Sequence, residues 1–121
     1  MSESEPNFVQ AELSDDEEIY KKVNTKSGSV LVVAGEQPSQ HKVLIVNSAR
    51  EEITKMYVEN IRTGYTIDSD VGLFDRLRGF KRLELLLDSS DAESTYIIGK
   101  EKELIELRDK LNDLLSEEQP E

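Results

Sequence analysis

The stretch FDRLRGFKRLELL places four positive charges within seven positions. The basic side chains are separated by a leucine, a glycine and a phenylalanine, and they belong to Arg76, Arg78, Lys81 and Arg82. Basic side chains beside an aromatic ring bind acidic or phosphorylated peptides through charge-assisted hydrogen bonds. The same pattern also fits a solubilising rim around a buried Leu77 and Phe80. A peptide-binding site and a surface rim are therefore both hypotheses for this stretch.

Two serines stand directly before acidic runs and resemble the sites of acid-directed kinases. Ser14 is followed by DDEE, and Ser116 is followed by EEQPE. Phosphorylation at either serine would add a charge of roughly −1.5 to −2 and strengthen pairing with a basic surface. Such pairing would be intramolecular if residues 1–18 folded back onto residues 76–82. These positions suggest a phosphoprotein whose acidic segment masks its own basic stretch.

Little in the chain suits catalysis, a metal ion or a cofactor. The sequence has no cysteine, which excludes disulfides, thiolate chemistry and Cys-ligated zinc. Its one histidine, His41, stands in a polar linker, where we expect an exposed side chain and not a general base. The acid pairs at positions 68 and 70 and at positions 88 and 91 lack EF-hand spacing and are typical of solvated turns. We expect a protein that is not an enzyme and that holds no metal or cofactor.

The net charge of −11 is unevenly distributed along the chain. Of the 26 acidic residues, seven lie in residues 1–18 and three in residues 117–121, whereas all 15 basic residues lie between these ends. The charge disfavours nucleic acid as a partner, and the apolar runs are far shorter than the roughly 20 residues of a membrane span. We expect an acidic disordered segment over residues 1–18, one domain over residues 19–116 and a flexible acidic end over residues 117–121.

From Ile19 onward, short β-forming runs alternate with turn residues. EIYKKV, SVLVVAG and KVLIV predict three strands, separated by TKSGS and by EQPSQ. KRLELLL and STYIIG predict a hairpin around DSSDAES. In KEKELIELRDKLNDLLSEE, leucines at positions 104, 107, 111, 114 and 115 recur at helical spacing. This last stretch predicts an amphipathic helix, with Glu106 and Lys110 paired on its outer face.

The middle stretch SAREEITKMYVENIRTGYTID fits two different structures. As a helix, it would begin with Ser48 as N-cap and Glu51 completing a capping box, with apolar residues following on one face. As a strand, it alternates Ile53, Tyr57 and Ile61 with charged residues, and its threonine, tyrosine and valine favour β structure. The fold class depends on this stretch, so both interpretations stay open.

With the middle stretch as strand, the chain from about Ile19 to Leu115 resembles the pleckstrin-homology (PH) superfamily. In that family the last strand runs directly into a helix that covers the open end of a seven-stranded barrel, and RLELLLDSSDAESTYIIGKEKELIELRDKLNDLL is similar to that ending. With the middle stretch as helix, KVLIVNSAREEITKMYVENIRTGYTID is similar to the first βαβ unit of a response-regulator receiver domain, although Asn47 and Ser48 replace its acidic pair. We expect a mainly β, PH-like barrel with one C-terminal helix, and the alternative is a receiver-like α/β fold.

The PH-like resemblance implies a place for phosphoinositide binding as well as for protein binding. Lys21, Lys22 and Lys26 fall at the first strand and first turn, where lipid-binding members of the family hold phosphoinositide phosphates. The second strand, SVLVVAG, has no basic residue to continue that motif. We therefore expect a noncatalytic intracellular adaptor or complex subunit, cytoplasmic or nuclear, that binds a protein or an acidic or phosphorylated peptide. Recruitment to a membrane through phosphoinositide is the alternative.

Overall fold

A computed structural model describes the chain over residues 6–61, 66–86 and 94–117. A one-turn helix precedes four strands, and three further strands and two helices follow. The elements are α1 (Asn7–Gln10), β1 (Glu18–Thr25), β2 (Gly28–Ala34), β3 (Lys42–Asn47), β4 (Glu52–Tyr57), β5 (Thr66–Asp68), α2 (Leu73–Leu77), β6 (Phe80–Leu86), β7 (Ser94–Lys100) and α3 (Glu101–Glu117). Within these ranges, no helix is both long enough and apolar enough to cross a membrane.

The first four strands form one antiparallel sheet in the order β1-β2-β3-β4. The predicted strands EIYKKV, SVLVVAG and KVLIV are confirmed as its first three members. Gly28 begins β2 at a φ of 124°, which glycine adopts without strain and which lets the chain reverse directly after β1. β2 and β3 carry apolar residues on both faces, so this sheet buries side chains on its inner and outer sides.

The ambiguous middle stretch forms a strand. β4 pairs with β3 in continuous antiparallel register, from Asn47 opposite Glu52 to Lys42 opposite Tyr57. The capping box predicted from Ser48 and Glu51 does not form a helix. Glu51 instead adopts a left-handed φ of 53° in the turn between β3 and β4. Pairing with β3 satisfies a row of backbone groups that an isolated helix would have left open on that sheet edge. The receiver-like α/β alternative is therefore wrong, and the fold is mainly β.

The second sheet is also antiparallel, with the order β5-β6-β7. The antiparallel pairing of β6 with β7 confirms the two predicted strands of the hairpin, and residues 87–93 between them lie outside the described residues. α3 follows β7 directly and confirms the amphipathic helix, since the leucines at positions 104, 107, 111 and 114 are buried. Glu106 was expected to pair with Lys110, but its carboxylate lies 3.4 Å from Lys21 of β1.

The main core lies between the two sheets and α3. It consists of buried apolar side chains from β1, β2, β3, β4, β6 and β7 and from the turn after β4, together with the leucine face of α3. The sheets meet where the turn after β1 reaches β7, because the Lys26 amide donates to the Ile98 carbonyl and the Ile98 amide donates to Ser27 Oγ, each at 2.9 Å. Over the described residues, the seven strands form sheets of four and three strands and do not close into one barrel. A mainly β fold with a C-terminal helix is thus confirmed.

Residues 6–17, the cover segment, lie against the outer face of the first sheet. α1 buries Val9 completely in this contact, and Phe8 and Leu13 pack beside it. The apolar outer face of β2 and β3 gives the segment a surface to bury, whereas the sequence predicted an acidic disordered segment over residues 1–18. The acidic side chains at positions 12 and 17 pair with Lys55 and Lys42, whereas the masking hypothesis expects the acidic segment at residues 76–82.

Candidate peptide-binding surface

Three large apolar side chains of α2 are exposed to solvent. Leu73 is 64% exposed, Phe74 is 78% exposed and Leu77 is 74% exposed. The helix has only five residues, none of them buried, and Leu73 and Leu77 lie one turn apart on the same side. This exposure excludes the alternative in which the basic residues form a solubilising rim around a buried Leu77. Adjacent exposed apolar side chains are instead typical of an interaction site.

Basic residues stand at the end of this apolar helix. Arg76 and Arg78 are both exposed, and Gly79, at a φ of 85°, then turns the chain into β6. Lys26 forms an ion pair with Asp75, which ties α2 to the turn after β1. This ion pair connects α2 to the rest of the domain, while the three apolar side chains of α2 remain exposed to solvent. We refer to Leu73, Phe74, Arg76, Leu77 and Arg78 together as the α2 surface.

A cleft of about 450 Å³ continues the basic surface beside α2. Its walls come from β1, the turn that follows it, β6, β7 and α3, and the lining residues are Asn24, Thr25, Lys26, Arg78, Phe80, Lys100 and Glu103. The Phe80 ring centroid lies 5.6 Å from Nζ of Lys26 and 4.6 Å from Nζ of Lys100, which are cation–π distances. The cleft therefore offers basic side chains beside an aromatic ring, the pairing that the sequence suggested for a peptide site.

Arg82, by contrast, is engaged within the domain. Its Nε and Nη2 donate to the two carboxylate oxygens of Asp68 at 3.2 and 3.1 Å, and its guanidinium lies 4.3 Å from the ring centroid of Tyr96. The side-chain hydrogen bond from Arg82 lowers the pKa of Asp68, and a hydrogen bond from the Asp70 backbone N–H lowers it further. The same side-chain hydrogen bond raises the pKa of Arg82. Nη2 of Arg82 also lies 3.3 Å from Oδ2 of Asp70, so the acid pair at positions 68 and 70 binds an arginine, whereas the sequence suggested a solvated turn.

Lys81 is also paired within the domain. Its Nζ lies 3.2 Å from Oε2 of Glu101, at the start of α3. Of the four predicted basic residues, the structure therefore brings Arg76 and Arg78 together at α2, and it places the other two in ion pairs.

The three lysines of the implied phosphoinositide site do not converge. Lys21 lies on the inner side of β1 beside Glu106 of α3, and Lys22, the next residue along the strand, points to the opposite side. Lys26 lies in the turn after β1, where it pairs with Asp75 and lines the cleft. Of these lysines, the cleft beside α2 includes Lys26.

His41 is buried, with 3% of its surface exposed, and this corrects the expectation of an exposed side chain. A short 3-10 turn at Pro38–Gln40 precedes it. Its Nδ1 accepts a hydrogen bond from the Gly35 N–H at 3.2 Å, and its carbonyl accepts one from the Val58 N–H at 2.9 Å. These contacts connect the end of β2 with the turn after β4, so His41 has a structural role.

The two predicted phosphorylation sites belong to other elements. Ser14 is exposed in the cover segment, and Ser116 falls in the last turn of α3. The acid pair at positions 88 and 91 lies outside the described residues. Among the residues that the structure does describe, no three histidine or acidic side chains are grouped as metal ligands.

The sequence predicted the two arginines of the candidate surface, but other residues of the α2 surface and of the cleft were not predicted. Leu73, Phe74 and Lys100 were not singled out, and Leu77 was considered only as a buried residue. The available signal was the spacing of GLFDRLRG, in which a glycine stands at each end of a segment too short to bury one face of a helix. The chain matches no protein-family model, no curated protein and no solved structure.

Proposed function

We propose that this protein is a noncatalytic interaction module that binds an acidic peptide of a partner protein at the α2 surface. The observation that carries the proposal is the exposure of Leu73, Phe74 and Leu77, between 64% and 78%, next to Arg76 and Arg78. Binding would remove these apolar side chains from water, which is favourable. Aromatic and arginine side chains are also the types that contribute most to protein interfaces. The surface therefore suits a peptide with apolar anchors and neighbouring carboxylates.

The cleft beside α2 supports the acidic character of this peptide. Arg78 belongs to both the α2 surface and the cleft. Lys26 and Lys100 also line the cleft, where Lys26 pairs with Asp75 and Lys100 donates to the Arg78 carbonyl. If an apolar side chain of the peptide binds at α2, carboxylates that follow it in the peptide would contact these basic side chains in the neighbouring cleft. A phosphorylated residue at the same place would form stronger charge-assisted hydrogen bonds.

A peptide fits this surface better than an anionic membrane does. A membrane faces one whole side of a chain whose net charge is −11, whereas a bound peptide responds mainly to charges within a Debye length of roughly 8–10 Å. A phosphoinositide headgroup would need several basic groups directed at one point, but Lys21 and Lys22 point to opposite sides of β1. Membrane recruitment is therefore the alternative that the binding experiment separates.

We also propose that the domain is a divergent member of the PH-like superfamily. The division of the strands into four and three supports this, and so does the direct passage of the last strand into a helix that packs on the core. The hydrogen bonds between the turn after β1 and β7 join the two sheets at one corner, as a barrel-like arrangement requires.

The proposal is tested by titrating the full chain into a fluorescein-labelled, glutamate-rich peptide that contains one phenylalanine and two leucines. We expect Phe74→Ser and Leu77→Ser each to weaken binding by about tenfold or more, because both side chains would be buried by the peptide. Arg76→Glu should weaken it similarly. The matched control is Arg50→Glu, which makes the same charge change at an exposed position between β3 and β4 and should leave the affinity unchanged.

Two outcomes would contradict the proposal. The first is equal binding by the Phe74→Ser variant and the wild-type chain. The second is equal affinity for a peptide in which lysine replaces every glutamate. Vesicles with and without phosphoinositide are tested in parallel, and binding to vesicles that is lost in the same variants would establish a membrane surface instead.

A further inference from the structure

The first sheet has a second apolar surface, separate from the main core. Its outer face combines buried side chains of β2 and β3 with a half-buried isoleucine of β4: Leu31, Val33, Leu44, Val46 and Ile53. We call this set the outer apolar face. The cover segment lies on it, with Val9 fully buried and Phe8 and Leu13 partly buried. Without the segment, five neighbouring apolar side chains would face water, which marks this face as an interaction surface.

Polar contacts fix the position of the cover segment on this face. Nζ of Lys42 lies 3.1 Å from Oε1 of Glu17 and also donates to the Glu12 carbonyl. At the exposed edge, Nζ of Lys55 lies 3.6 Å from Oε1 of Glu12. The face therefore recognises two features of its occupant: an apolar turn at Val9, and acidic residues toward the C-terminal end of the segment.

The cover segment is not a strand of the first sheet. Its one-turn helix closes on itself, since the Val9 and Gln10 amides donate to the Pro6 carbonyl and the Ala11 amide donates to the Asn7 carbonyl. A four-residue helix is unstable by itself in water. The hydrogen-bond ladders of the sheet run among β1, β2, β3 and β4. Lifting the segment therefore breaks side-chain contacts and leaves these ladders intact.

We infer that the outer apolar face is a binding groove for a partner peptide, and that the cover segment occupies it as an intramolecular stand-in. The partner peptide has the chemistry of the segment, namely one apolar helical turn followed by acidic residues that reach Lys42 and Lys55. It competes with a tethered segment whose effective concentration is in the millimolar range for a short connection. The groove is formed by the first sheet and does not depend on the α2 surface.

The test uses the full chain and a labelled peptide of residues 6–17, PNFVQAELSDDE, as the probe. Val9→Asp in the full chain should displace the tethered segment, because it puts a charge into the apolar contact. The folded variant should then bind the labelled peptide at least about tenfold more tightly than the wild-type chain, whose groove is occupied. Ala11→Asp is the matched control: the same charge is added at an exposed position of the segment, and the affinity should equal that of the wild-type chain.

Specificity is checked with two altered probes. A probe carrying Val9→Asp and a probe carrying Glu12→Lys with Glu17→Lys should each bind the Val9→Asp chain at least about tenfold more weakly than the natural sequence does. Equal binding of all three probes would overturn the inference, and so would a folded Val9→Asp chain that binds none of them.

Hydrogen exchange on the wild-type chain tests whether the cover segment opens separately from the sheet, and it does so even if the Val9→Asp variant fails to fold. We expect the amides of residues 9–13 to exchange at least about 100-fold faster than those of Leu31 and Leu44, because the segment opens without unfolding the sheet. Exchange of both groups at one common rate would show that the segment unfolds only with the whole domain. That result would overturn the inference.

Discussion

Lys42 of β3 and Glu17 of the cover segment form an ion pair that is almost completely removed from water. The two side chains are 6% and 5% exposed, and Nζ lies 3.1 Å from Oε1. A buried charge is tolerated in a protein only when it is paired and hydrogen-bonded. The cover segment therefore supplies the counter-charge that Lys42 needs, and Lys42 in turn holds the segment in place.

Glu17→Gln should release the cover segment more than it destabilises the domain. Removing one partner of a buried ion pair ordinarily costs about 3–5 kcal/mol. Here the loss is limited by the free energy of lifting the segment, since Lys42 then reaches water. We expect the free energy of unfolding in urea to fall by about 1–2 kcal/mol. The exposed Asp16→Asn should change it by less than about 0.5 kcal/mol. A loss of the full 3–5 kcal/mol for Glu17→Gln would show that the segment does not lift.

Among the glycines that the structure describes, Gly28 should be the one at which an added methyl group is least tolerated. A Cβ there would lie 2.4 Å from the Val46 carbonyl oxygen, at a backbone φ of 124°. Both the steric overlap and the backbone conformation oppose a side chain, so Gly28→Ala should lower the free energy of unfolding by about 3 kcal/mol. Gly72→Ala is the control, because a Cβ at that position meets nothing within 4 Å and should change stability by less than about 0.5 kcal/mol. Similar urea midpoints for the two variants would contradict this prediction.

The stabilising contribution of Asp68 should be lost at low pH. The hydrogen bonds from Arg82 and from the Asp70 N–H hold the pKa of Asp68 below its ordinary value of 3.8. The ionised carboxylate therefore stabilises the fold above about pH 4, and this contribution is lost as the pH falls through the lowered folded-state value. Asp68→Asn should make the unfolding free energy fall less steeply between about pH 4 and pH 2 than it does in the wild-type chain.

The pH effect of Asp68 should depend on its arginine partner. In an Arg82→Gln background, Asp68→Asn should change the slope of unfolding free energy against pH much less, because the largest cause of the lowered pKa is already gone. Urea denaturation at a series of pH values measures all four chains. Parallel pH profiles for Asp68→Asn and the wild-type chain would contradict the assignment.

The elements that the sequence predicted best are those in which the local pattern and the tertiary environment agree. β1, β2 and β3 are β-forming runs between turn residues, and the leucines of α3 follow one helix face that meets the core. β4 was ambiguous because Ser48 and Glu51 form a local helix signal, whereas the free edge of β3 favours a strand over Glu52–Tyr57. That edge belongs to the folded sheet, so no local pattern could include it.

The candidate site was harder to predict, because exposure and pairing depend on the folded chain. The sequence identified four basic residues, but Arg82 is neutralised by Asp68, which is 14 positions away. The apolar residues of α2 resemble core residues by type, and they are exposed because the helix is short and lies outside the main core. The cover segment has the composition of a disordered tail, and the apolar surface of β2 and β3 on which it packs exists only in the folded chain.

Phosphorylation of Ser14 should loosen the cover segment and not tighten it. The Ser14 N–H donates to Oε1 of Glu17 at 2.8 Å, and Ser14 lines a hollow together with Glu17, Lys42 and Glu59. A phosphate adds a charge of roughly −1.5 to −2 beside two carboxylates, while Lys42 is already paired. We expect Ser14→Glu to speed amide exchange of residues 9–13 by about tenfold at low salt, and less at high salt.

The control for this charge is Ser69→Glu, at an exposed position after β5, which should leave that exchange unchanged. Slower exchange in Ser14→Glu would mean that the new charge pairs with Lys42 or Lys55 more strongly than it repels Glu17 and Glu59. Phosphorylation would then strengthen the hold of the segment on its own domain, which is the direction that the acidic sequence alone suggested. Faster exchange would instead make Ser14 a site at which modification opens the outer apolar face to a partner peptide.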